Sequence, residues 1–404
     1  MIWSIAWRNV WRNKKRSAII LTAVAFGIWA GLMSNAIMLG ASRQMVKSAI
    51  ETRTSHIQVH REGFRDHHEI DLMIQEPDSV TSVIKSIEGV KAISVRSVLT
   101  GMCRSPESGT GVTLFGIKPE DEARVSAIED KLVDGSFFKD EYRNPIIVGD
   151  DLAKKLDVGV GNKIVVNAQD LEGSIAGGAF RVVGIFNTVS SEFDKSNVFA
   201  LRNDIDEIYE LGGGVHEIAV ILNSNDMLKT VDEKLKNSLS NLDVATWEEI
   251  EPQMSILTGT QKQMSYIFIG IILLALVFGI TNTMLMGVLE RIRELGVVLS
   301  LGMNHFRIFY MILLETIFLS IIGAGGGMLA TVGTIAVAGK TGIDLSIVSA
   351  GLEAFGMSTM LYPYLPAGEY PVVALMVVVT AVVASIYPGI KAIRLNPVEA
   401  IRTY

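Results

Sequence analysis

The stretch QMSYIFIGIILLALVFGITNTMLMGVL, residues 263–289, contains no charged side chain. A helix crosses the hydrocarbon core of a membrane, about 30 Å thick, with about 20 apolar residues. Inside that core the backbone N–H and C=O groups meet no water and must hydrogen-bond within the helix itself. The stretch therefore predicts a transmembrane helix.

Three further stretches of similar length also lack charged side chains, at residues 17–42, 316–339 and 370–390. With 49% hydrophobic residues, the chain is too apolar for an ordinary soluble enzyme. A cleaved signal peptide is an alternative for the first stretch, but the stretch is too long and lacks an Ala-x-Ala-like cleavage site. The sequence predicts four transmembrane helices, over residues 17–42, 263–289, 307–339 and 370–390.

Basic residues are concentrated beside some ends of these helices and not others. Residues 1–16 contain five Lys and Arg and no acid, and Arg291, Arg293 and Arg307 follow the second helix. Residues 340–369, by contrast, contain one Lys and three acids. By the positive-inside rule, we expect a multi-pass protein with both termini cytoplasmic and residues 43–262 outside.

Three indoles follow helical spacing near the N-terminus, at Trp3, Trp7 and Trp11. Aromatic rings favour the headgroup level, and the neighbouring cations attract anionic lipid. Residues 1–16 are therefore predicted to form an amphipathic interfacial helix that anchors the first transmembrane helix on membrane lipids.

The long segment over residues 43–262 alternates short strand-like runs with helical stretches. It predicts a large α/β extracytoplasmic domain inserted between transmembrane helices 1 and 2 of an α-helical membrane protein. Within it we expect an α/β part over residues 43–115 and 215–255, and an inserted strand-rich part over 116–214. The single cysteine, Cys103, excludes an internal disulfide, so a hydrophobic core must stabilise the domain.

No pattern in the sequence predicts chemistry on this chain. Gly339-Lys340-Thr341 resembles the end of a nucleotide-binding loop, but Thr334 stands where the first glycine is required. The run Asp66 to Glu69 is acidic and histidine-rich, yet adjacent residues cannot all face one metal ion. The net charge of −7 does not suit nucleic acid. We expect no catalytic residue, no metal site and no cofactor, so the chain is not an enzyme by itself.

An amphipathic pattern continues beyond the second transmembrane helix, through residues 288–302. The apolar members of the pattern are Val288, Ile292, Leu295 and Leu299, and the charged members are Glu290, Arg291, Arg293 and Glu294. Docking on lipid headgroups is one interpretation, but two glutamates suit an anionic leaflet poorly. A cytoplasmic helix over residues 290–306 that docks on a partner protein is favoured, with Gly302 permitting a sharp return into the third helix.

The same run, with Glu290-Arg291-x-x-Glu294-Leu295-Gly296 and Leu301-Gly302, resembles the cytoplasmic coupling motif of FtsX/MacB-type ABC transporter permeases. The tail over residues 387–402 is similar to the closing signature of that family, with a cytoplasmic helix over 391–404. The resemblance implies a homodimeric or heterodimeric permease, each copy bound to a separate ABC ATPase that carries the ATP and Mg²⁺. It also implies that the ATPase is contacted by a set of seven residues: Glu290, Arg291, Glu294, Gly296, Gly302, Arg394 and Pro397.

Two runs of the outer segment are similar to lipoprotein-releasing (Lol) permeases, of the LolC/LolE kind, more than to exporters. They are residues 115–122 with 147–153, and residues 183–199 with their Asp194. The resemblance implies a lipoprotein substrate, a LolD-like ATPase and a LolA-like periplasmic carrier. The hairpin at 167–179 departs from it, because one Lol subunit carries a carrier-binding hook there whereas this hairpin is glycine-rich and lacks proline. A MacB-like exporter of small molecules or peptides and an FtsX-like, non-transporting regulator of cell-wall hydrolases remain alternatives.

Acyl chains bind by burial of apolar area, which favours a site lined by apolar and flexible side chains. The candidates occupy one face of each of the first two transmembrane helices: Phe26, Trp29, Met33, Ile37, Met264, Phe268 and Ile271. Packing inside the subunit or contact with bulk lipid explains each of them equally well. Glu315 is an acid within the third transmembrane helix, and we expect it to pair with a basic group of the coupling region.

Overall fold

The computed structural model describes residues 2–138, 142–300, 302–348, 351–352 and 358–394, without the side chain of Lys262. It divides into two compact units. The membrane unit comprises Met1–Ser42, Thr258–Asp344 and Met360–Tyr404, and the α/β unit comprises Arg43–Leu257 and Leu345–Thr359.

The helices of the described residues are numbered in chain order. They are α1 (Ile2–Arg12), α2 (Lys14–Ala49), α3 (Phe64–His67), α4 (Pro77–Lys85), α5 (Pro119–Val125), α6 (Asp150–Leu156), α7 (Ser191–Ser196), α8 (Arg202–Tyr209), α9 (Leu228–Ser238), α10 (Trp247–Ile250), α11 (Pro252–Glu290), α12 (Ile292–Ser300), α13 (His305–Thr341) and α14 (Glu369–Ile393).

Four of these helices, α2, α11, α13 and α14, are long and apolar enough to cross a membrane, which confirms the four predicted spans. Each extends beyond its charge-free stretch; α11, for example, begins at Pro252, a residue whose fixed φ suits the first turn of a helix. The return into α13 occurs where it was predicted. Gly302 has a φ of +88°, and the Asn304 side chain caps α13 by accepting a hydrogen bond from the Phe306 N–H at 3.0 Å.

Small residues bring the membrane helices close together. A Cβ at Gly327 of α13 would lie 2.5 Å from the Ala25 carbonyl oxygen, and one at Gly323 would lie 2.9 Å from Val24 Cβ. Glycine at these two positions therefore lets α13 approach the backbone of α2, the usual way in which helices pack in lipid. The buried core of this unit includes Val24 and Ile28 on α2 and Leu319 on α13.

The α/β unit is built on one ten-stranded sheet, in the order β10-β1-β9-β2-β3-β8-β5-β7-β4, with β6 paired to β2 and β7. The strands are β1 (Ile57–Arg61), β2 (Val90–Arg104), β3 (Gly109–Ile117), β4 (Leu132–Gly135), β5 (Pro145–Gly149), β6 (Lys163–Gln169), β7 (Ile175–Phe186), β8 (Asn197–Leu201), β9 (Glu217–Leu222) and β10 (Leu242–Thr246). A two-stranded sheet in the membrane unit pairs β11 (Ile343–Asp344) with β12 (Met360–Leu361).

The long strand β2 belongs to both parts of the α/β unit. Its first half, Val90 to Arg96, pairs with β9, and its second half, from Ser97 to Arg104, pairs with β3. The expected boundary at residue 116 is therefore misplaced, because β3 and the second half of β2 belong to the strand-rich part. One strand continues through both parts, so the two share a sheet instead of being joined by a linker.

A buried ion cluster lies where β2 passes from one part to the other. Arg96 donates to Glu122 Oε1 at 2.6 Å and to Glu217 Oε1 at 2.7 Å, and Ser94 donates to Glu122 Oε2 at 2.6 Å. Burial by itself would raise the pKa of Glu122, but the Arg96 charge and these hydrogen bonds outweigh it and hold the pKa below its ordinary value. We call this the Arg96 cluster.

Candidate coupling site

The predicted coupling helix is not continuous with the second span. Helix α11 ends at Glu290 and α12 spans Ile292–Ser300, so the amphipathic pattern through residues 288–302 is divided at Arg291 and the expected helix over 290–306 is shorter at both ends. The Arg291 N–H bonds to the Val288 carbonyl at 3.2 Å, a tight turn that ends α11. The break turns the Arg291 side chain inward, where it meets Glu315.

The apolar face of α12 is buried as its pattern indicates. Leu295, Gly296 and Leu299 are buried, whereas Arg293 and Glu294 are exposed. Gly296 therefore lies on the buried face of α12, between Leu295 and Leu299. Arg293 and Glu294 form the exposed, charged face of α12.

Glu315 of α13 is the centre of a second buried ion cluster, which we call the Glu315 cluster. Arg16, in the first turn of α2, donates to Glu315 Oε1. Arg291 Nη1 donates to Glu315 Oε2 at 3.3 Å and to Oε1 at 3.5 Å. The prediction that Glu315 meets a basic group of the coupling region is confirmed, whereas the pairing with Arg16 was missed because the two residues are 299 positions apart.

Helix α1 packs on α13, with Ala6 and Val10 buried and two of its indoles in contact with α13. The rings of Trp3 and Trp7 lie edge-on to Phe318, with centroids 5.7 and 5.6 Å away, and Asn9 donates to the Met311 sulfur at 3.8 Å. Although they make these contacts, Trp3 and Trp7 are 67% and 45% exposed, so much of each indole can still face lipid.

An exposed ion pair links α1 to α12. Arg12, the last residue of α1, donates to Glu294 of α12, and both side chains are about half exposed, at 50% and 56%. Glu294, the carboxylate expected to face an ATPase, therefore has a partner within its own chain. Exposed ion pairs are weak, so this contact leaves Glu294 able to exchange partners.

The remaining predicted coupling residues lie at the ends of α11 and α14 or outside the described residues. Glu290 is exposed at the end of α11, and Arg394 is exposed at the end of α14. Pro397 lies outside the described residues. The role of all seven in ATPase binding stays a prediction.

The candidate acyl-chain residues lie on the outside of the membrane unit. Phe26, Met264, Phe268 and Ile271 are each at least half exposed, and Trp29, Met33 and Ile37 are half-buried. The Trp29 indole N–H donates to Thr334 Oγ1 at 3.1 Å, so this ring also joins α2 to α13. Their role in binding an acyl chain stays a prediction.

The Asp of the Lol-like pattern holds a loop together. Asp194 accepts hydrogen bonds from the Thr188 N–H at 2.8 Å and the Thr188 hydroxyl at 2.6 Å. Burial raises the pKa of Asp194 to about 6 despite these bonds. Gly149 is required beside it, since a Cβ there would lie 2.1 Å from the Asp194 carbonyl oxygen.

Two buried histidines of the α/β unit gave no signal in the sequence. The rings of His60 and His216 each pack against the Phe64 ring, with centroids 5.4 and 5.1 Å away. Burial lowers the pKa of His216 to about 4, so it is neutral near pH 7. Within the described ranges, no group of three or more His, Cys, Asp or Glu residues is placed to hold a metal ion.

Two family models match the chain over most of its length. The MacB-like periplasmic core domain matches residues 17–238, and the FtsX-like permease C-terminal matches residues 266–397.

Three curated relatives illustrate the range of similar proteins. The lipoprotein-releasing system transmembrane protein LolC of Xylella fastidiosa is 22% identical and covers 97% of this chain and 96% of its own. The uncharacterized ABC transporter permease YknZ of Bacillus subtilis is 24% identical and covers 98% of both chains. The macrolide export ATP-binding/permease protein MacB of Bdellovibrio bacteriovorus is 23% identical over 96% of this chain, but only 60% of its own.

Among solved structures, the extracellular domain of YknZ from Gram-positive bacteria is 17% identical, covers 47% of this chain and 99% of that one, and has a TM-score of 0.34. The periplasmic region of MacB from Actinobacillus actinomycetemcomitans has a TM-score of 0.35 at 15% identity, and covers 52% of this chain and 97% of that one.

Four membrane-spanning helices, an α/β unit inserted after the first and an amphipathic helix after the second are the organisation of a transporter permease. The chain belongs to the FtsX/MacB-type family of ABC transporter permeases. Membership implies an ATPase partner and a second permease subunit.

Proposed function

We propose that this chain is the permease subunit of an ATP-driven transporter that extracts lipoproteins from the outer leaflet of the bacterial inner membrane. The released lipoprotein passes to a LolA-like periplasmic carrier, and the chain itself moves no cargo across the bilayer. The observation that carries the proposal is the similarity to LolC along 97% of the chain, together with exposed apolar faces on the first two spans.

ATP hydrolysis is assigned to a separate, LolD-like ATPase, which binds the ATP and Mg²⁺. A phosphate-binding loop must lie before a helix, where free N–H groups face the phosphates. Gly339-Lys340-Thr341 instead occupies the last turn of α13, where carbonyl groups are free. That run is therefore unsuited to nucleotide.

Coupling to the ATPase is assigned to the exposed face of α12. Both termini and α12 lie in the cytoplasm in this proposal, and α1 with its three indoles contacts the inner leaflet. The buried face of α12, with Leu295 and Leu299, transmits force to the spans because it is packed on them. Glu294 offers a charge-assisted hydrogen bond to the ATPase once it leaves Arg12.

The lipoprotein acyl chains are placed against α2 and α11. Phe268 and Ile271 are 52% and 58% exposed on α11, and Phe26 is 67% exposed on α2. Burial of apolar area stabilises an acyl chain by about 25 cal/mol per Å², with no need for directional bonds. A second permease subunit, identical or different, supplies the other wall of this site.

The test compares aspartate substitutions on these faces with one placed elsewhere in the membrane. For Met33→Asp and Phe268→Asp, we expect release of a radiolabelled lipoprotein from spheroplasts to fall strongly, because a carboxylate in the hydrocarbon region costs roughly 2.5–3.5 kcal/mol on insertion scales. The control is Leu375→Asp on α14, an apolar position that is 65% exposed, as Phe268 is 52% exposed. Equal release by all three variants at equal membrane levels would contradict the acyl-chain site.

An exporter function is the second candidate, because MacB and the pyoverdine exporter PvdT of Pseudomonas fluorescens are relatives of similar identity, at 23% and 24%. In that case Met33→Asp and Phe268→Asp would leave lipoprotein release normal. They would instead lower resistance to a macrolide.

A further inference from the structure

The guanidinium of Arg16 is wedged between two spans at the coupling end of the membrane unit. Its side chain is 8% exposed, and it donates to Glu315 of α13 on one side. On the other side it lies against the backbone of α11, since a Cβ at Gly287 would be 1.9 Å from Arg16 Nη1. Any side chain larger than that of glycine at position 287 therefore displaces the guanidinium.

The two arginines hold Glu315 unequally. Arg16 donates to Glu315 Oε1 from a side chain that is 8% exposed. The Arg291 contacts, at 3.3 and 3.5 Å, are longer than an ordinary N–H···O hydrogen bond. Arg291 is therefore the more easily released of the two.

The charges of the cluster also indicate that Arg291 is the more easily released arginine. Two arginines face one carboxylate, and among the described residues Arg16 Nε and Arg291 Nη2 have no hydrogen-bond partner. Beside them is a cavity of about 20 Å³, room for one water molecule. If Arg291 leaves, Arg16 still neutralises Glu315, so no buried carboxylate is left unpaired; the loss of Arg16 would remove its main partner.

We propose that Glu315 is the pivot through which movement of α12 reaches the spans. Arg16 holds α2 to α13 through Glu315 throughout the cycle, whereas the bond between Arg291 and Glu315 breaks and forms again as α12 moves. Arg16 and Gly287 are positioning residues in this scheme, which rests on the coupling role proposed for α12. Neither residue needs to contact the ATPase or the cargo.

Two variants disturb Arg16 by different routes. Arg16→Gln removes its charge, whereas Gly287→Ala keeps every charge and displaces the guanidinium. Alanine favours helix over glycine, so Gly287→Ala is not expected to weaken α11 itself. Gly279→Ala is the matched control on the same helix, because a Cβ there meets nothing within 4 Å.

The first measurement compares hydrolysis with release in the purified permease–ATPase complex in nanodiscs. For Arg16→Gln and Gly287→Ala we expect the KM for ATP to be unchanged and ATP hydrolysis to stay within about twofold of wild type. Release of a triacylated lipoprotein should fall by about tenfold or more, equivalent to about 1.4 kcal/mol in a rate. Arg16→Lys should restore part of the release, and Gly279→Ala should match wild type.

The second measurement needs no cargo. Spin labels at Thr22→Cys on α2 and Tyr310→Cys on α13 report the distance between those helices, and the native Cys103 is buried. We expect ATP with vanadate to leave that distance unchanged in the otherwise wild-type protein, and to change it by about 5 Å, one helical turn, in Gly287→Ala.

The pivot is overturned if Gly287→Ala releases lipoprotein like wild type, or if hydrolysis and release fall together while the label distance stays constant. If the wild-type complex releases no lipoprotein but the label distances behave as expected, the proposed cargo is wrong and the pivot stands.

Discussion

The two buried ion clusters of this protein have opposite compositions. In the Arg96 cluster one arginine lies between two glutamates, with hydrogen bonds of 2.6 to 3.0 Å and a serine completing the set. In the Glu315 cluster two arginines share one glutamate, and two guanidinium nitrogens have no partner among the described residues. The Arg96 cluster is a fully hydrogen-bonded network within a sheet. The Glu315 cluster has unpaired donors and one long contact, which suits a bond that breaks and forms again as the helices move.

The largest effect is expected from removing the single cation of the Arg96 cluster. Arg96→Met leaves Glu122 and Glu217 buried side by side without a positive charge, which should destabilise the α/β unit by about 3–5 kcal/mol. Pulse proteolysis of the full-length protein in urea measures this. Arg104→Met, on an exposed position of the same strand, is the control and should have little effect.

The same cluster predicts an acid dependence. Because the pKa of Glu122 is lowered in the folded protein, its contribution to stability is present above its ordinary pKa of 4.5 and is lost as pH falls through the lower folded value. Arg96→Met should abolish this part of the acid sensitivity. An unchanged acid transition in the variant would count against the role given to the cluster.

An intermediate effect is expected at the exposed Arg12–Glu294 pair. Glu294→Arg places two cations together and should leave folding intact, because exposed pairs contribute only about 0–1 kcal/mol. We expect it to abolish co-purification of the ATPase. Glu233→Arg, an exposed site on α9, makes the same charge change elsewhere.

A charge swap decides which partner of Glu294 matters. If Glu294 serves only Arg12, then Arg12→Glu combined with Glu294→Arg restores the pair and the ATPase remains bound. If Glu294 contacts the ATPase, the swap remains defective. Restoration by the swap would remove Glu294 from the docking surface.

The smallest effect is expected for a buried carboxylate that has no cation. The pKa of Asp194 is raised from 3.8 to about 6, so the folded state holds the proton more tightly and stability falls as pH rises through this interval. Asp194→Asn should flatten the pH dependence of unfolding between about pH 4 and pH 6, measured by thermal melts, since an amide does not titrate there. A slope identical to that of wild type would show that Asp194 does not titrate in this range.

Much of the architecture was readable from the chain alone. The four spans follow from length and apolarity, because a membrane leaves the backbone no other solution. The shared strand β2 was missed because alternation identifies a strand but does not show with which partners it pairs along its length.

Only the tertiary structure showed which charged residues pair with each other. Sequence alone indicated that Glu315, an acid within a span, needs a basic partner, and that α12 carries a charged face. The sequence could not identify Arg16, 299 residues away, as a partner of Glu315. Nor could it show that the absence of a side chain at Gly287 leaves room for the Arg16 guanidinium. The sequence shows that a charged residue lies within or beside a span, but the packing of the helices determines which residue neutralises it.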